Sequence, residues 1–152
     1  MTDSPINFDR HLSFLLADCH RLFATALDRR LREAKLGLSR SQWRVIGYLS
    51  RTDGITQTCL AELLDMERAP LGTLVDKLET AGLVERRADP KDRRVNRVFI
   101  TGVALDILPT IRKEAEVINE EFTRGLSTEQ LDSLIDSLKI LKGSLLTQRD
   151  AL

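Results

Sequence analysis

Six basic side chains crowd into one short stretch past the middle of this chain. Arg86, Arg87, Lys91, Arg93, Arg94 and Arg97 stand against only Asp89 and Asp92, a net charge of +4 over residues 86–97. Permanently protonated guanidinium groups at that density suit the binding of a polyanion, above all a phosphate backbone. A basic loop of this kind can follow phosphates or insert an arginine into a narrow minor groove. Its flanks, Leu83 to Arg87 and Val95 to Thr101, are short and rich in β-branched residues. Between them, Ala88-Asp89-Pro90-Lys91-Asp92-Arg93-Arg94 reads as a polar hairpin tip.

A second group of candidate contacts lies just upstream. Leu71, Leu74, Val75 and Leu78 recur at helical spacing from about Arg68 to Ala81, which turns Arg68, Ala69, Pro70, Gly72, Thr73, Asp76, Lys77 and Thr80 outward. Pro70 sits in the first turn, where its missing N–H is not required, and Gly82 ends the helix. A shorter helix precedes it. Thr56 is its N-cap, Ile55 and Leu60 form a hydrophobic staple, and Leu60, Ala61, Leu63 and Leu64 are its apolar face. The turn at Asp65-Met66-Glu67 joins the two. Helix at 56–64, turn, helix at 68–81 and a basic hairpin make the layout of a winged helix-turn-helix, whose second helix enters the DNA major groove.

Other elements must hold this centre. Residues 8–36 carry apolar side chains at spacings of three and four, from Leu12 to Leu31, with Gly37 as the stop. Ser39 and Gln42 form a capping box for a helix to about Ser50, with Leu38 and Trp43 as its staple, and Asp53-Gly54 turns the chain. Thr101-Gly102 opens a helix to about Arg124 that Pro109 should kink or shift. Ser127 and Gln130 form a second capping box. Leu131, Leu134, Leu138, Leu141 and Leu145 follow as a seam suited to helix–helix association. The fold class is mainly α with a small β-hairpin: a winged helix-turn-helix over 37–101 (helix-turn-helix 55–82, wing 83–101), with 1–36 and 102–152 as a helical dimerisation region.

The whole-chain charge argues against nucleic acid at first sight, since 23 basic and 23 acidic residues cancel among 152. The cancellation conceals sorting. Residues 21–51 carry +6 and the hairpin +4, while 52–65 and 102–152 each carry −3. Charge placed this way lets one face bind DNA while another stays acidic. No apolar run reaches the ~18 residues of a membrane span, and Met1-Thr2-Asp3-Ser4-Pro5 lacks the features of a secretory signal. Cys19 and Cys59 are too few for a disulfide scaffold, which points to a reduced, cytoplasmic protein.

The residues resemble the MarR family of bacterial regulators. The resemblance is carried by Ile55-Thr56-Gln57 through Leu60-Ala61, by Leu74-Val75-Asp76-Lys77-Leu78-Glu79, by Gly82-Leu83-Val84, and by Asp89-Pro90-Lys91-Asp92-Arg93-Arg94 before Val98-Phe99-Ile100-Thr101. It extends over almost the whole chain, and Leu126-Ser127 through Leu134-Ile135 looks most like the SlyA branch. The resemblance implies a homodimer on a near-palindromic double-stranded operator, with half-sites about one helical turn apart. It implies a repressor relieved by a small aromatic acid or lipophilic effector. In the wing, it implies that Asp92 orients the hairpin and Arg94 reaches the minor groove. Arg68, Ala69, Pro70, Thr73, Lys77, Arg86, Lys91, Asp92, Arg93 and Arg94 are the expected DNA-binding residues. The reading helix departs from the family, which commonly places Ser or Thr near Pro70 and Gly72, and Arg at Thr73. Ala69 and Pro70 offer thymine methyls a surface but no hydrogen bond.

Trp43 matches a position that lines the family's effector pocket, and it is equally the core member of its staple. Arg21, Arg40 and Arg44 could hold a carboxylate nearby; Trp43, Arg21 and Arg44 are the expected ligand-binding set. Peroxide-sensing relatives place a cysteine where Ser13 stands, and a hydroxyl cannot form a sulfenic acid. Cys19 on the apolar stripe reads as a core residue, and Cys59 as an exposed candidate thiol. His11 and His20 are the only histidines and show no zinc-ligand spacing with the cysteines. No nucleophile–base pair or phosphate-cradling glycine loop is present, so neither an enzyme nor a cofactor is expected. Two alternatives stand beside the regulator: a helical dimer that binds a protein partner and has lost DNA binding, and a cysteine-based redox-responsive regulator.

Overall fold

The computed structural model describes residues 11–150. Its elements run α1 (Leu12–Glu33), α2 (Arg40–Leu49), β1 (Ile55–Thr56), α3 (Gln57–Leu64), α4 (Arg68–Thr80), β2 (Val84–Ala88), β3 (Asn96–Ile100), α5 (Gly102–Thr123) and α6 (Thr128–Asp150). The expected start of the first helix at residue 8 and the N-terminal Met1–Pro5 segment lie outside the described residues. The chain divides into two compact units, Met1–Ala115 and Glu116–Leu152.

The first unit is built around a leucine-rich core. Ile46 and Leu49 of α2, Leu60 and Leu64 of α3, and Leu71, Val75 and Leu78 of α4 are fully buried together with Val84 and Val98 of the sheet. Each such side chain contributes about 1.5–3 kcal/mol by leaving water. The core fixes which face of α4 turns outward, because its buried positions leave Arg68, Ala69, Pro70, Thr73, Asp76, Lys77 and Thr80 on the exposed side. Ser39 caps α2 as its sequence requires: its side chain accepts from Gln42 N, and its N–H donates to Gln42 Oε1 at 2.8 Å.

The sheet has three strands in the order β1-β3-β2, all antiparallel, where the sequence suggested only a two-stranded hairpin. Ile55 pairs with Val98 and Thr56 with Arg97, while β2 and β3 pair from Val84↔Ile100 to Ala88↔Asn96. Thr56 ends β1 and also caps α3, its hydroxyl accepting from Cys59 N at 3.2 Å. Two residues are too short for an alternation signal, so the cap was legible and the strand was not.

The end of α1 also differs. Lys35, rather than Gly37, takes the first left-handed conformation (φ 57°), with Leu36 N donating to Leu31 O and Lys35 N to Arg32 O, the double bond of a Schellman cap. Ala24, Leu27 and Leu31 of α1 are buried, but Leu12, Leu15, Leu16 and Leu22 are largely exposed. Cys19 is exposed with them, not in the core as its apolar stripe suggested, and Cys59 is half-buried.

Thr101 closes the winged part. Its hydroxyl donates to Gly82 O at 2.6 Å, and its carbonyl accepts from Leu105 N in the first turn of α5. Pro109 lies inside α5. In the second unit, Ser127 makes the expected capping box with Gln130, its N–H donating to Gln130 Oε1 at 2.9 Å. The seam of α6 leaves Leu134 47% and Leu145 65% exposed.

Candidate nucleic-acid interface

The hairpin between β2 and β3 is a folded turn, not a loose charged loop. Asp89, 6% exposed, is its centre. One carboxylate oxygen accepts from the backbone N–H of Lys91 at 2.7 Å and of Asp92 at 3.3 Å, and the other accepts from Arg97 Nε at 2.5 Å. Arg97 Nη1 continues to Gly54 O at 2.8 Å, which ties the wing to the turn before β1. Asp53 of that turn accepts from Ile100 N at 2.9 Å. Asp89, Arg97, Gly54 and Asp53 were not among the expected site residues, although an Asp at the start of a polar hairpin tip is an Asx-turn signal.

Above this base, Asp92 and Arg94 form the expected pair. Arg94 Nε donates to Asp92 Oδ1 and Nη2 to Oδ2, each at 3.0 Å, and the Arg94 backbone N–H donates to the same carboxylate at 3.0 Å. This bidentate fork points the guanidinium while leaving the Arg94 side chain 91% exposed. Lys91 and Arg93 are exposed beside it. Gln57 and Thr58 of α3, Arg68 and Leu71 of α4, and Arg94 to Asn96 of the wing line one open cleft of about 310 Å³. Arg68 of α4 and Arg94 of the wing thus face the same space.

Two carboxyl groups here have shifted protonation. The Lys91 N–H and then Arg97 hold Asp89 below the usual carboxylate range; Arg94 does the same for Asp92 and is itself raised. A lowered folded pKa stabilises the fold above the unfolded value and ceases to do so as pH falls through the folded one. The wing should therefore keep its full stability at neutral pH and loosen only below the usual carboxylate range, about pH 4. Carboxyl carbon NMR titration should place both midpoints below that of a free aspartate. An Arg97→Gln change should move Asp89 upward and leave Asp92 in place; an unmoved Asp89 would refute the assignment.

Not every basic residue of the hairpin is free to meet an anion. Arg87 lies over the Phe99 ring, 4.4 Å from its centroid, and pairs with Glu85. The expectation that Arg86 meets phosphate runs into a guanidinium already engaged by the protein: its side chain is 19% exposed and bonds Gln57, Gly72 O, Asp76 and Glu79. On α4, Thr73 donates to Ala69 O at 3.3 Å. Ala69, Pro70, Lys77 and Arg68 are all exposed.

A second open cavity, also about 310 Å³, lies between α1 and α2, lined by His20, Phe23, Trp43, Arg44, Tyr48 and Arg51 among others. Trp43 and Arg44 of the expected ligand set are brought together there. Arg21 is not among the lining residues and pairs with Asp18 on the surface. Trp43 Nε1 donates to Asp28 at 2.8 Å, and the same carboxylate accepts from Arg40 Nε at 2.7 Å, which ties the Arg40 side chain to Asp28 of α1 rather than to the cavity lining. His20, Tyr48 and Arg51 were not foreseen, because they line it only once two helices cross. Among the described residues no group of three His, Cys, Asp or Glu could hold a metal ion, and no helix is long and apolar enough to cross a membrane.

Comparison with known proteins meets this geometry. The family model described as MarR family matches residues 36–95. The HTH-type transcriptional regulator YdgJ of Bacillus subtilis is 28% identical over 113 residues, which cover 74% of this chain and 69% of that protein. The crystal structure of a MarR transcriptional regulator from Methanosarcina mazei Go1 superposes with a TM-score of 0.80 at 25% identity, covering 90% of this chain and 96% of that one. A crystal structure of MarR shares the fold across 98% of this chain and 100% of its own, with a TM-score of 0.85 at 23% identity. Residues 36–95 of this chain are thus similar to the MarR family, and the relative and the structure matched at 25% identity or more are named as transcriptional regulators.

Proposed function

We propose that this chain acts in the cytoplasm as a homodimeric, sequence-specific repressor of the SlyA-like branch, released from its operator by a small aromatic acid or lipophilic compound. The observation that carries the DNA reading is the exposed Arg94 guanidinium, oriented by Asp92 and sharing a cleft with Arg68 of α4. In this reading Ala69, Pro70 and Thr73 meet base edges and methyl groups. Arg68, Lys77, Lys91 and Arg93 meet phosphate, and Arg94 enters the minor groove. Residues 1–36 and 102–152 form the dimer, as supported by the exposed leucines of α1 and α6. Two winged domains (37–101) then address half-sites about 34–36 Å apart. The branch assignment rests on Leu126 to Ile135.

The cavity holding Trp43 and Arg44 combines aromatic walls with the cations Arg44 and Arg51, a chemistry suited to an aromatic carboxylate. A ligand there releases DNA by favouring dimers whose reading helices no longer match the half-site spacing.

One titration tests the whole reading. Binding to the intergenic DNA beside the gene is measured against salt, then against benzoate. Four or five cationic contacts per subunit should give a log–log salt slope of about −7 to −9 for the dimer. Benzoate should lower affinity in the parent and not in Trp43→Ala. No retention of that DNA even at low salt would instead favour a dimeric protein-interaction module.

A further inference from the structure

Arg86, on β2, bonds two helices at once. Its Nε donates to Gln57 Oε1 at 3.1 Å, at the start of α3. Its Nη2 donates to Gly72 O at 3.1 Å and to Asp76 Oδ1 at 2.7 Å, and its Nη1 to Glu79 Oε2 at 2.7 Å. The second Glu79 oxygen accepts from the Arg86 backbone N–H at 3.0 Å. Gly72, Asp76 and Glu79 stand at i, i+4 and i+7, so they form one line along α4. The planar fork of a single β2 arginine therefore lies along the reading helix for two turns while gripping the helix before it. A lysine, a point charge with no fork, could satisfy one of these acceptors but could not span them.

We propose that Arg86 is a positioning residue that sets the angle between the reading helix and the wing, and thereby governs discrimination between operator and other DNA without touching DNA itself. The proposal rests on the DNA-binding reading above. The wing reaches Arg94 from β2 and β3, and α4 presents Arg68, Ala69 and Pro70. Discrimination requires both to be in register on one duplex, since phosphate contacts position and base contacts specify. With the hub loosened, either part still attracts phosphate, but the two no longer fit one sequence together.

The test uses the full chain and two duplexes of equal length: one enriched from random sequence by the parent protein, the other of unselected sequence. In Arg86→Lys the ratio of the two affinities should fall about tenfold, the size of one lost base-pair reading, with the salt slope unchanged. A direct phosphate contact predicts the reverse, because lysine serves a phosphate well and the ratio would hold. The double variant Asp76→Asn/Glu79→Gln is a second, independent arm. It removes two negative charges from the DNA-facing helix, so affinity for unselected DNA should rise while the ratio falls. A merely structural role would lower the thermal midpoint but leave the ratio intact at temperatures where the variant is folded, and that result overturns the proposal. A parent that enriches no sequence overturns the DNA reading and this proposal together, whereas a parent that does, with an unaltered ratio in both variants, overturns this proposal alone.

Discussion

Replacing Arg94 with alanine should lower operator affinity about 100-fold or more while leaving the fold unchanged. The side chain is 91% exposed and, among the described residues, its hydrogen bonds run to Asp92 alone, so its loss opens no cavity and orphans no buried donor there. What is lost is a pre-aimed guanidinium. The bidentate bond to Asp92 fixes both torsion and plane before DNA arrives, so little conformational freedom remains to be surrendered on binding. A narrow minor groove concentrates negative potential, and an arginine placed in it gains more than one at an open phosphate. In the proposed dimer the effect is repeated at both ends of the site, so the expected factor exceeds the roughly 10-fold typical of one contact. The salt slope should shrink by about two per dimer if Arg94 releases counterions at each half-site. Asp92→Asn should weaken binding less, because the guanidinium survives without its orienting partner. Arg68→Ala is the control, since the reading helix offers few side-chain hydrogen bonds and the wing should carry the greater share. If Arg68→Ala alone weakens binding, that division of labour is wrong.

A change at Gly54, which no contact with DNA would explain, should be costly in a different way. Gly54→Ala is expected to destabilise the folded chain by about 2–5 kcal/mol. Two effects add. Gly54 has φ +69°, a conformation that an L side chain adopts at a cost of about 1–2 kcal/mol. A Cβ there would stand 2.5 Å from Phe99 Cε1 and 2.8 Å from Cζ, so the ring of β3 must shift, a strain of about 1–3 kcal/mol. The disturbance reaches the wing because Gly54 O holds Arg97, and Arg97 holds Asp89 at the foot of the hairpin. Urea unfolding measures the loss. Phe99→Leu in the same chain should recover the steric part and leave the backbone part, so the double variant should be less unstable than the sum of the singles. A Gly54→Ala protein within about 0.5 kcal/mol of the parent, the range of an ordinary surface change, would show that the turn relaxes freely.

These two residues mark how far the sequence could be read. The basic tip was legible because its signal is local, charged residues between strand-like flanks in one short run, and the resemblance of that run to a family wing singled out Arg94 with Asp92. The capping boxes at Ser39 and Ser127 and the cap at Thr56 were legible for the same reason, since each is a matter of residue type at a spacing of three. Arg86 and Arg94 look alike in the sequence, as two arginines of one basic segment. Only pairing of β2 against β3, beside α4, sends Arg86 inward to Asp76 and Glu79 while Arg94 projects from the tip. Cys19 shows the opposite failure. A stripe at helical spacing says that a face is apolar, and it does not say whether the covering surface belongs to the same chain.

The sequence by itself determined the order of the helices, their caps and the outward face of α4, because propensity, capping and periodicity act within a few residues; the Asp92/Arg94 pair was implied by the resemblance of the tip to a family wing. Tertiary structure alone decided that Ile55 and Thr56 make a third strand, that Gly54 must lack a side chain, and which arginines bind the protein rather than face solvent. Those outcomes depend on contacts between residues dozens of positions apart, such as Arg97 with Gly54. Placement in the fold also sorts the charge: Asp76 and Glu79 of α4 neutralise Arg86 and Asp89 neutralises Arg97, while Lys91, Arg93 and the Asp92-oriented Arg94 stay exposed at the tip.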